Sequence, residues 1–306
     1  MAFGLQTYDD TVRREDLIDV ITDVSPDENP LSTMLARTTA MQTLHEWPED
    51  YVSRPSSVSG AIEGAAATYS DLSQPERRIN ITQVISQTFR VSGTERAVDV
   101  AGMSDPLDYQ AAKALRQWKN NLEYSLVQGA IASGSSGVAR QMAGLQSVVT
   151  SHLTNRNSGT SLSETEFNAM VKESWDDVGS DDVFDLVLVP FGLKQKISTF
   201  TAGSTRYVDA SDKRLTRPVM VYESDGGVHR IMAHKDVNSA AATPGPAFLG
   251  IKEDKYRIAY LKGREPKREN LAKDGDRDNG QIVGEATLEF LAERTSVQRT
   301  GYATSG

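Results

Sequence analysis

Residues 106–132 constrain the chain more than any other stretch, because their apolar side chains recur at helical spacing across 27 positions. Leu107, Ala111, Leu115, Trp118, Leu122 and Leu126 are spaced four, four, three, four and four, which is one face of a single helix. Pro106 suits a first helical position, Asp105 can accept the free amides ahead of it, and Asp108 favours the positive end of the helix dipole. At 1.5 Å per residue the predicted helix is about 40 Å long. It runs into Ser133-Gly134-Ser135-Ser136-Gly137, a breaker. A phosphate-cradling loop is not implied there, since no GK[ST] follows and the glycines come after a helix instead of before one.

Upstream, the chain changes character. Residues 46–78 contain Pro48, Pro55 and Pro75, Gly60 and Gly64, and the small-residue run 65–68, which reads as a long exposed excursion. Ile79, Ile81, Ile85, Phe89 and Val91 share one parity, so residues 78–92 read as one half-buried strand. Together, residues 47–91 resemble a long hairpin poorly filled near its tip. At the amino end, Leu17, Ile18, Val20, Ile21 and Val24 form a short amphipathic stretch closed by Ser25-Pro26, and a second short piece, 31–36, follows Pro30. Neither is large enough to make a core alone, so both must lie on something else.

The remainder reads as an α+β body. Ser163 to Glu166 matches a capping box, continued by Phe167, Met170, Val171, Trp175 and Val178 on one helical face. Residues 184–189 (FDLVLV) form a short buried strand stopped by Pro190, followed by a helix carrying Leu193, Ile197 and Phe200. Residues 219–222 and 228–232 flank Ser224-Asp225-Gly226-Gly227, a hairpin signal. Residues 247–251, 256–261 and 287–297 complete the candidate strands. No internal repeat is visible.

Composition excludes several kinds of chemistry. Cysteine is absent, which removes disulfides, thiolate nucleophiles and thiolate-held metals together. The start, MAFGLQTYDD, lacks the basic flank and apolar stretch of a secretory signal, and no run of about 18 apolar residues occurs; a cytoplasmic site of synthesis and assembly is expected, with no membrane partner. A net charge of -9 argues against a dedicated nucleic-acid reader. The charge is uneven: the first 60 residues hold eleven acids against four bases, whereas 252–273 hold eight bases against four acids. An acidic arm and a basic patch can be complementary between copies, although on charge alone they read first as two solvated faces.

Candidate chemistry is sparse. His45, His152, His229 and His234 are scattered, and the last two, five apart, would face opposite sides of a regular strand. His45-Glu46 is not part of an HExxH motif, and no GxSxG, GxGxxG or P-loop occurs. Asp274, Asp276, Asp278 and Glu285 stand at positions one, three, five and twelve of a calcium-loop template, but the turn glycine belongs where Asn279 stands and no convincing helix precedes them. A solvated acidic turn is the expectation, with no metal and no cofactor. The acid pairs Asp176-Asp177 and Asp181-Asp182 also read as a solvated connection. No catalytic residue is assigned, and the chain is expected not to be an enzyme.

The order of these features, an arm, a two-stranded excursion, a long helix and a mixed body, resembles the major capsid proteins of tailed phages, built on the Hong Kong 97 capsid fold. The wording is similar to the SU-ten-like subgroup: REDLIDVITDVSPDENPLSTML at 14–35, HEWPEDYV at 45–52, Glu63-Gly64, RRINITQVI at 77–85 and VSGT at 91–94. The likeness runs strongly through Gly144-Leu145 and by layout beyond. It implies an N-arm at 1–44, an extended E-loop with its base strands at 45–91, and a P-domain at 92–189 containing a spine helix at 106–132. An A-domain at 190–246 and remaining strands at 247–306 complete the division. It further implies a homo-oligomer of hexamers and pentamers in an icosahedral shell around double-stranded DNA, met without sequence specificity. Separate scaffolding, portal and cement proteins are the accompanying partners, and covalent cross-links are not expected. Leu17, Ile18, Trp47, Ile62, Tyr69 and Leu72 are the expected inter-subunit contacts, because their segments cannot bury them alone. The alternatives are a bacterial nanocompartment shell of the same fold, a different virion component such as a decoration or tail protein, and a divalent-metal enzyme built on the acidic cluster.

Overall fold

The computed structural model describes residues 29–52, 54–55, 57–58, 60–66, 69, 73–98, 105–200, 221–237 and 247–302, without the side chains of 157–160. Leu17, Ile18 and Leu72 lie outside the described residues. In chain order the elements are α1 (Pro30–Met34), β1 (Ala36–Ala40), β2 (Leu44–Glu49), β3 (Glu76–Ile81), β4 (Gln83–Ser92), α2 (Gly93–Ala97) and α3 (Pro106–Gln128). They continue with α4 (Leu145–Val148), β5 (Leu153–Thr160), α5 (Glu164–Val178), β6 (Leu186–Val189), α6 (Phe191–Phe200), β7 (Val221–Ser224) and β8 (Gly227–Ala233). The last are β9 (Phe248–Ile251), β10 (Tyr256–Leu261), β11 (Lys267–Leu271), β12 (Arg277–Phe290) and β13 (Val297–Tyr302).

Helix α3 starts as its sequence dictates, with Pro106 in its first turn and the Asp105 carboxylate accepting from Leu107 N at 2.9 Å. It is four residues shorter than its periodicity predicts. Gly129 ends it by crossing the backbone of Gly144, whose N–H donates to Gly129 O at 2.9 Å. A Cβ on Gly144 would sit 2.6 Å from Gly129 N and Ser125 O, so neither helix continuation nor a side chain fits there. The buried face comprises Ala111, Ala114, Trp118, Leu122 and Leu126, whereas Leu115 of the predicted stripe is 39% exposed. Trp118 fixes this rotation: its indole N–H donates to Ile85 O at 2.8 Å, and Gly284 leaves room for its ring. Past the helix, residues 132–141 close as a tight hairpin through Ala132↔Gln141 and Ser135↔Val138, with Gly134 and Gly137 at positive φ.

Strand β12 is the axis of a five-stranded sheet. β4 pairs along one edge from Ser92↔Arg277 to Gln83↔Ala286. β10 and β11 run end to end along the other, and β1 adds in parallel to β10. The single strand predicted over 78–92 is two strands, broken at Thr82, with β3 leaving to pair only with β2. The predicted parity fails in its first half: Ile79 is exposed and Asn80 is buried. Asn80 is tolerated there because its amide is saturated, donating to Ala143 O and Leu288 O while accepting from Ala143 N and Ile81 N. The strand predicted over 287–297 is likewise interrupted, by a 3-10 turn at Glu293–Thr295 between β12 and β13.

A six-stranded sheet in the order β5-β13-β9-β6-β8-β7 forms the second layer. β6 is buried at all four positions, as FDLVLV predicts. Against it lies α5, whose Ser163 Oγ accepts from Glu166 N at 3.3 Å. The return half of the predicted capping box is not made, because the Glu166 carboxylate pairs with Arg156. Trp175, predicted to face the core, is exposed, and Ser174 takes the buried position. Phe167 centres an aromatic cluster with Phe184, Tyr222, Phe248 and His229 at edge-on geometry.

Two outcomes follow from this packing. Gly144→Ala is expected to cost about 2 kcal/mol by overpacking, seen as a lowered thermal midpoint, while Gly192→Ala, in open space on α6, does not lower it. His229 Nδ1 faces Phe184 O at 2.8 Å and Nε2 faces Ser224 Oγ at 2.7 Å, and burial holds its pKa below the usual 6.5. The unfolded chain therefore takes up this proton first, so stability is full above 6.5 and falls as pH drops below it. The midpoint should fall between about pH 7.5 and about pH 5.5, and fall less in His229→Gln.

Candidate assembly elements: the hairpin root and the arm anchor

β2 and β3 pair from Leu44↔Ile81 to Glu49↔Glu76 and form the root of the excursion. Beyond them no strand occurs among the described residues of 50–75, where Ile62 is 82% and Tyr69 92% exposed, with Val52 and Val58 also in solvent. The root, by contrast, is fixed by charge. Thr82 Oγ1 donates to Glu285 Oε1 at 2.6 Å, and the same buried carboxylate holds Arg140 at 2.7 Å and Arg264 at 2.9 Å. His45 Nε2 meets Glu289 Oε2 at 2.8 Å, and Arg78 pairs with Glu49. Tyr51 is the last clamp: its hydroxyl donates to Asp177 Oδ1 at 2.8 Å and its ring lies 4.0 Å beneath the Arg294 guanidinium. That hydrogen bond to a carboxylate is the main cause of the raised Tyr51 pKa.

Trp47 is 7% exposed and stacks edge-on against Phe290 at 4.8 Å within its own subunit, so most of its ring is covered there, while its buried indole N–H has no partner among the described residues. The strand spacing β2 shares with β3 hid this, because the partner lies on β12, far along the sequence. Ile62 and Tyr69 are exposed as their segment predicts.

A second node anchors the arm. Glu123 is buried on α3, and its carboxylate accepts from Leu31 N and Ser32 N, each at 2.8 Å, in the first turn of α1. His234 Nε2 stands 2.9 Å from the same group, and Asp236 N donates to His234 Nδ1, which places the ring proton on Nε2 facing Glu123. Three parts of the chain thus meet at one carboxylate. Sequence reasoning missed Glu123, since a glutamate between Leu122 and Tyr124 carries no mark of burial. Glu293 has a similar role, accepting from Thr150 N, Ser151 N and Ser151 Oγ at 2.6 Å each.

The acidic cluster does not converge. Asp278 and Glu285 are seven residues apart on β12, which separates them by about 23 Å and turns them to opposite faces. Asp274 is held by Arg277 and Asn279, which bring its pKa down to about 2, and Lys273 and Arg96 lower that of Asp278. Asp276 covers the backbone of Gly93. Among the described residues no group of three or more histidine, aspartate or glutamate side chains is placed to hold a metal. The four histidines have separate environments, each beside a carboxylate or a backbone carbonyl.

A 23-residue helix packed on β4 and β12 of a five-stranded sheet, a six-stranded sheet and a two-stranded hairpin root make up a mixed fold that matches solved phage capsid structures of the Hong Kong 97 type. The chain is similar to the capsid asymmetric unit of cyanophage A-1(L), with a TM-score of 0.71 at 14% identity over 97% of this chain and 99% of that one. It is also similar to an encapsulin complex from Synechococcus elongatus, with a TM-score of 0.58 at 10% identity over 96% and 94% of the two chains. At such identities these likenesses establish the fold. Residues 4–303 match the family described as SU10 major capsid protein, and the chain belongs to that family. A major capsid protein of Escherichia phage Phieco32 is 25% identical over 123 residues, 40% of this chain, and the match spans about a third of that relative's length.

Removing the arm anchor should be visible locally. Glu123→Ala leaves two backbone N–H groups and His234 without their acceptor, a loss of about 3 kcal/mol. Amide hydrogen exchange at Leu31 and Ser32 should accelerate strongly in folded subunits, and more than at the β6 amides.

Proposed function

We propose that the chain is the shell-building subunit of a tailed-phage head, assembling as hexamers and pentamers into a closed icosahedral lattice around double-stranded DNA. The observation that carries this reading is the contrast within the excursion: a root held by His45 on buried Glu289, by Arg78 on Glu49 and by Tyr51 on Asp177 supports a tip whose Ile62 and Tyr69 are exposed among the described residues. A rigid lever with an apolar end suits docking on a second copy, with Leu72 on the same excursion joining them. In this reading 1–44 is the N-arm, 45–91 the E-loop, 92–189 the P-domain with α3 as its spine, 190–246 the A-domain, and 247–306 the strands that complete the body.

The subunit would belong to the virion and assemble in the host cytoplasm, with scaffolding, portal and cement proteins as separate chains. No helix among the described residues is long and apolar enough to cross a membrane. Contact with DNA would be broad and weak, in keeping with a net charge of -9. A non-enzymatic role is supported by the pairing of Asp274, Asp278 and Glu285 with basic side chains. A nanocompartment shell is the second reading, because the encapsulin complex shares the fold.

Negative-stain electron microscopy of the protein, expressed alone and with its neighbouring genes, tests the proposal. Closed shells or capsomer rings are expected, unchanged by chelator. The double variant Ile62→Asp, Tyr69→Asp should keep the thermal midpoint of the free subunit and lose nearly all shells. Dispersed monomers from the unaltered chain under every condition would overturn the shell reading, and particles filled with enzyme cargo and no nucleic acid would replace it with the nanocompartment.

A further inference from the structure

A groove of about 860 Å³ lies between α1, β1, the outer face of α3 and the end of β10. Arg37, Thr38 and Thr39 of β1 all line it. Consecutive side chains of a strand point to opposite faces, so three in a row reach one groove only where it runs along the edge of the strand. That edge is open. β1 is the terminal strand of its sheet and pairs on one side alone, in parallel with β10. Lys262 N–H donates to Ala40 O at 3.0 Å, which fixes the parity: Ala36, Thr38 and Ala40 turn their peptide groups toward β10, and Arg37 and Thr39 turn theirs toward the groove.

The opposite wall is apolar. There α3 contributes Leu115, the residue that its rotation leaves in solvent, beside the buried Trp118 and Leu122. Of the bases in the lining, Arg116 already has a partner, whereas Arg37 and Lys119 make no ion pair among the described residues. Glu265 is the single acid there. An occupant therefore meets free peptide groups that repeat every second residue on one side, an apolar helix face on the other, and two unpaired cations. An extended segment matches that repeat, while a helix has consumed its own peptide groups internally. The cations select carboxylates. A nucleic acid would neutralise them too, yet it brings neither peptide groups in strand register nor an apolar side chain for Leu115.

We infer that this groove is a strand-addition site for an extended acidic segment of another protein. The segment pairs with the main chain of Arg37 and Thr39, sets apolar side chains on Leu115 and brings carboxylates to Arg37 and Lys119. The inference concerns the folded subunit, goes beyond the shell reading and does not depend on it.

Fluorescence anisotropy with full-length unassembled subunits tests it, using a fluorescein-labelled octapeptide that alternates aspartate with valine. Saturable binding is expected. Thr39→Pro removes one outward N–H and no bond to β10, and should weaken binding about tenfold while the subunit keeps its thermal midpoint. N-methylating the probe, at the aspartate amides and then at the valine amides, leaves the protein untouched, and only one of the two sets should weaken binding. Arg37→Glu with Lys119→Glu should abolish binding, and the same peptide with lysine for aspartate should not bind. No saturable binding of the acidic peptide overturns the inference, as do equal binding of the lysine peptide and indifference to both methylated sets. Two further results also overturn it and reassign the surface. Binding of a duplex DNA oligonucleotide in place of the peptide, abolished by the charge reversals, gives it to nucleic acid. Self-association that Thr39→Pro abolishes and the peptide leaves intact gives it to a second copy. Shell formation by the unaltered chain is scored separately by microscopy, so a failure of the shell reading leaves this result intact.

Discussion

Glu285 and Glu289 stand four residues apart on β12, the strand with which β4, β10 and β11 all pair, and both carboxylates are buried. A buried carboxylate is expensive unless it is paired and hydrogen-bonded, so each dictates what surrounds it. Glu285 requires Thr82, Arg140 and Arg264 in place; Glu289 requires His45. These partners come from the break between β3 and β4, the hairpin after α3, the exit from β10 and the start of β2. The central sheet and the root of the excursion therefore form together, because neither carboxylate can be buried with only part of its set.

The rest of the architecture extends that logic outward. Trp118 locks α3 to β4 through Ile85 O, and the crossing of Gly129 with Gly144 stops the helix where the chain must turn back under Asn80 and Ala143. Glu123 then carries the arm root on the same helix, and Glu293 closes the turn after α4. Asn80 and the buried carboxylates of Glu123, Glu285 and Glu293, each paired, are the fasteners of this subunit, while the apolar clusters on α3 and around Phe167 supply the bulk of the burial. A lattice subunit gains from this division: non-directional burial stabilises each layer, and directional pairs fix the angle at which the hairpin leaves.

Much was legible from sequence where local rules suffice. The start of α3, the Ser163 cap, the buried strand before Pro190 and the hairpin through Ser224–Gly227 all follow from capping, periodicity and turn chemistry that act within a few residues. The exposure of Ile62 and Tyr69 was legible too, because a segment rich in proline and small residues has no apolar surface of its own to cover them. The misreadings share one cause. Leu115 and Trp175 fit the apolar face by spacing and Ile79 by parity, yet in each case a distant element decided the side.

The sequence by itself determined which stretches are helix, strand or excursion, and the order of elements by which the chain resembles a phage capsid subunit, because those depend on steric and hydrophobic preferences of near neighbours. Tertiary structure alone decided that Asn80, Glu123 and Glu285 are interior residues, that Asp274, Asp278 and Glu285 pair with separate basic side chains, and that Trp47 packs in its own core. The physical reason is that the cost of burying a polar or charged group is set by partners dozens to hundreds of residues away, and nothing in a residue's own neighbourhood records whether those partners arrive.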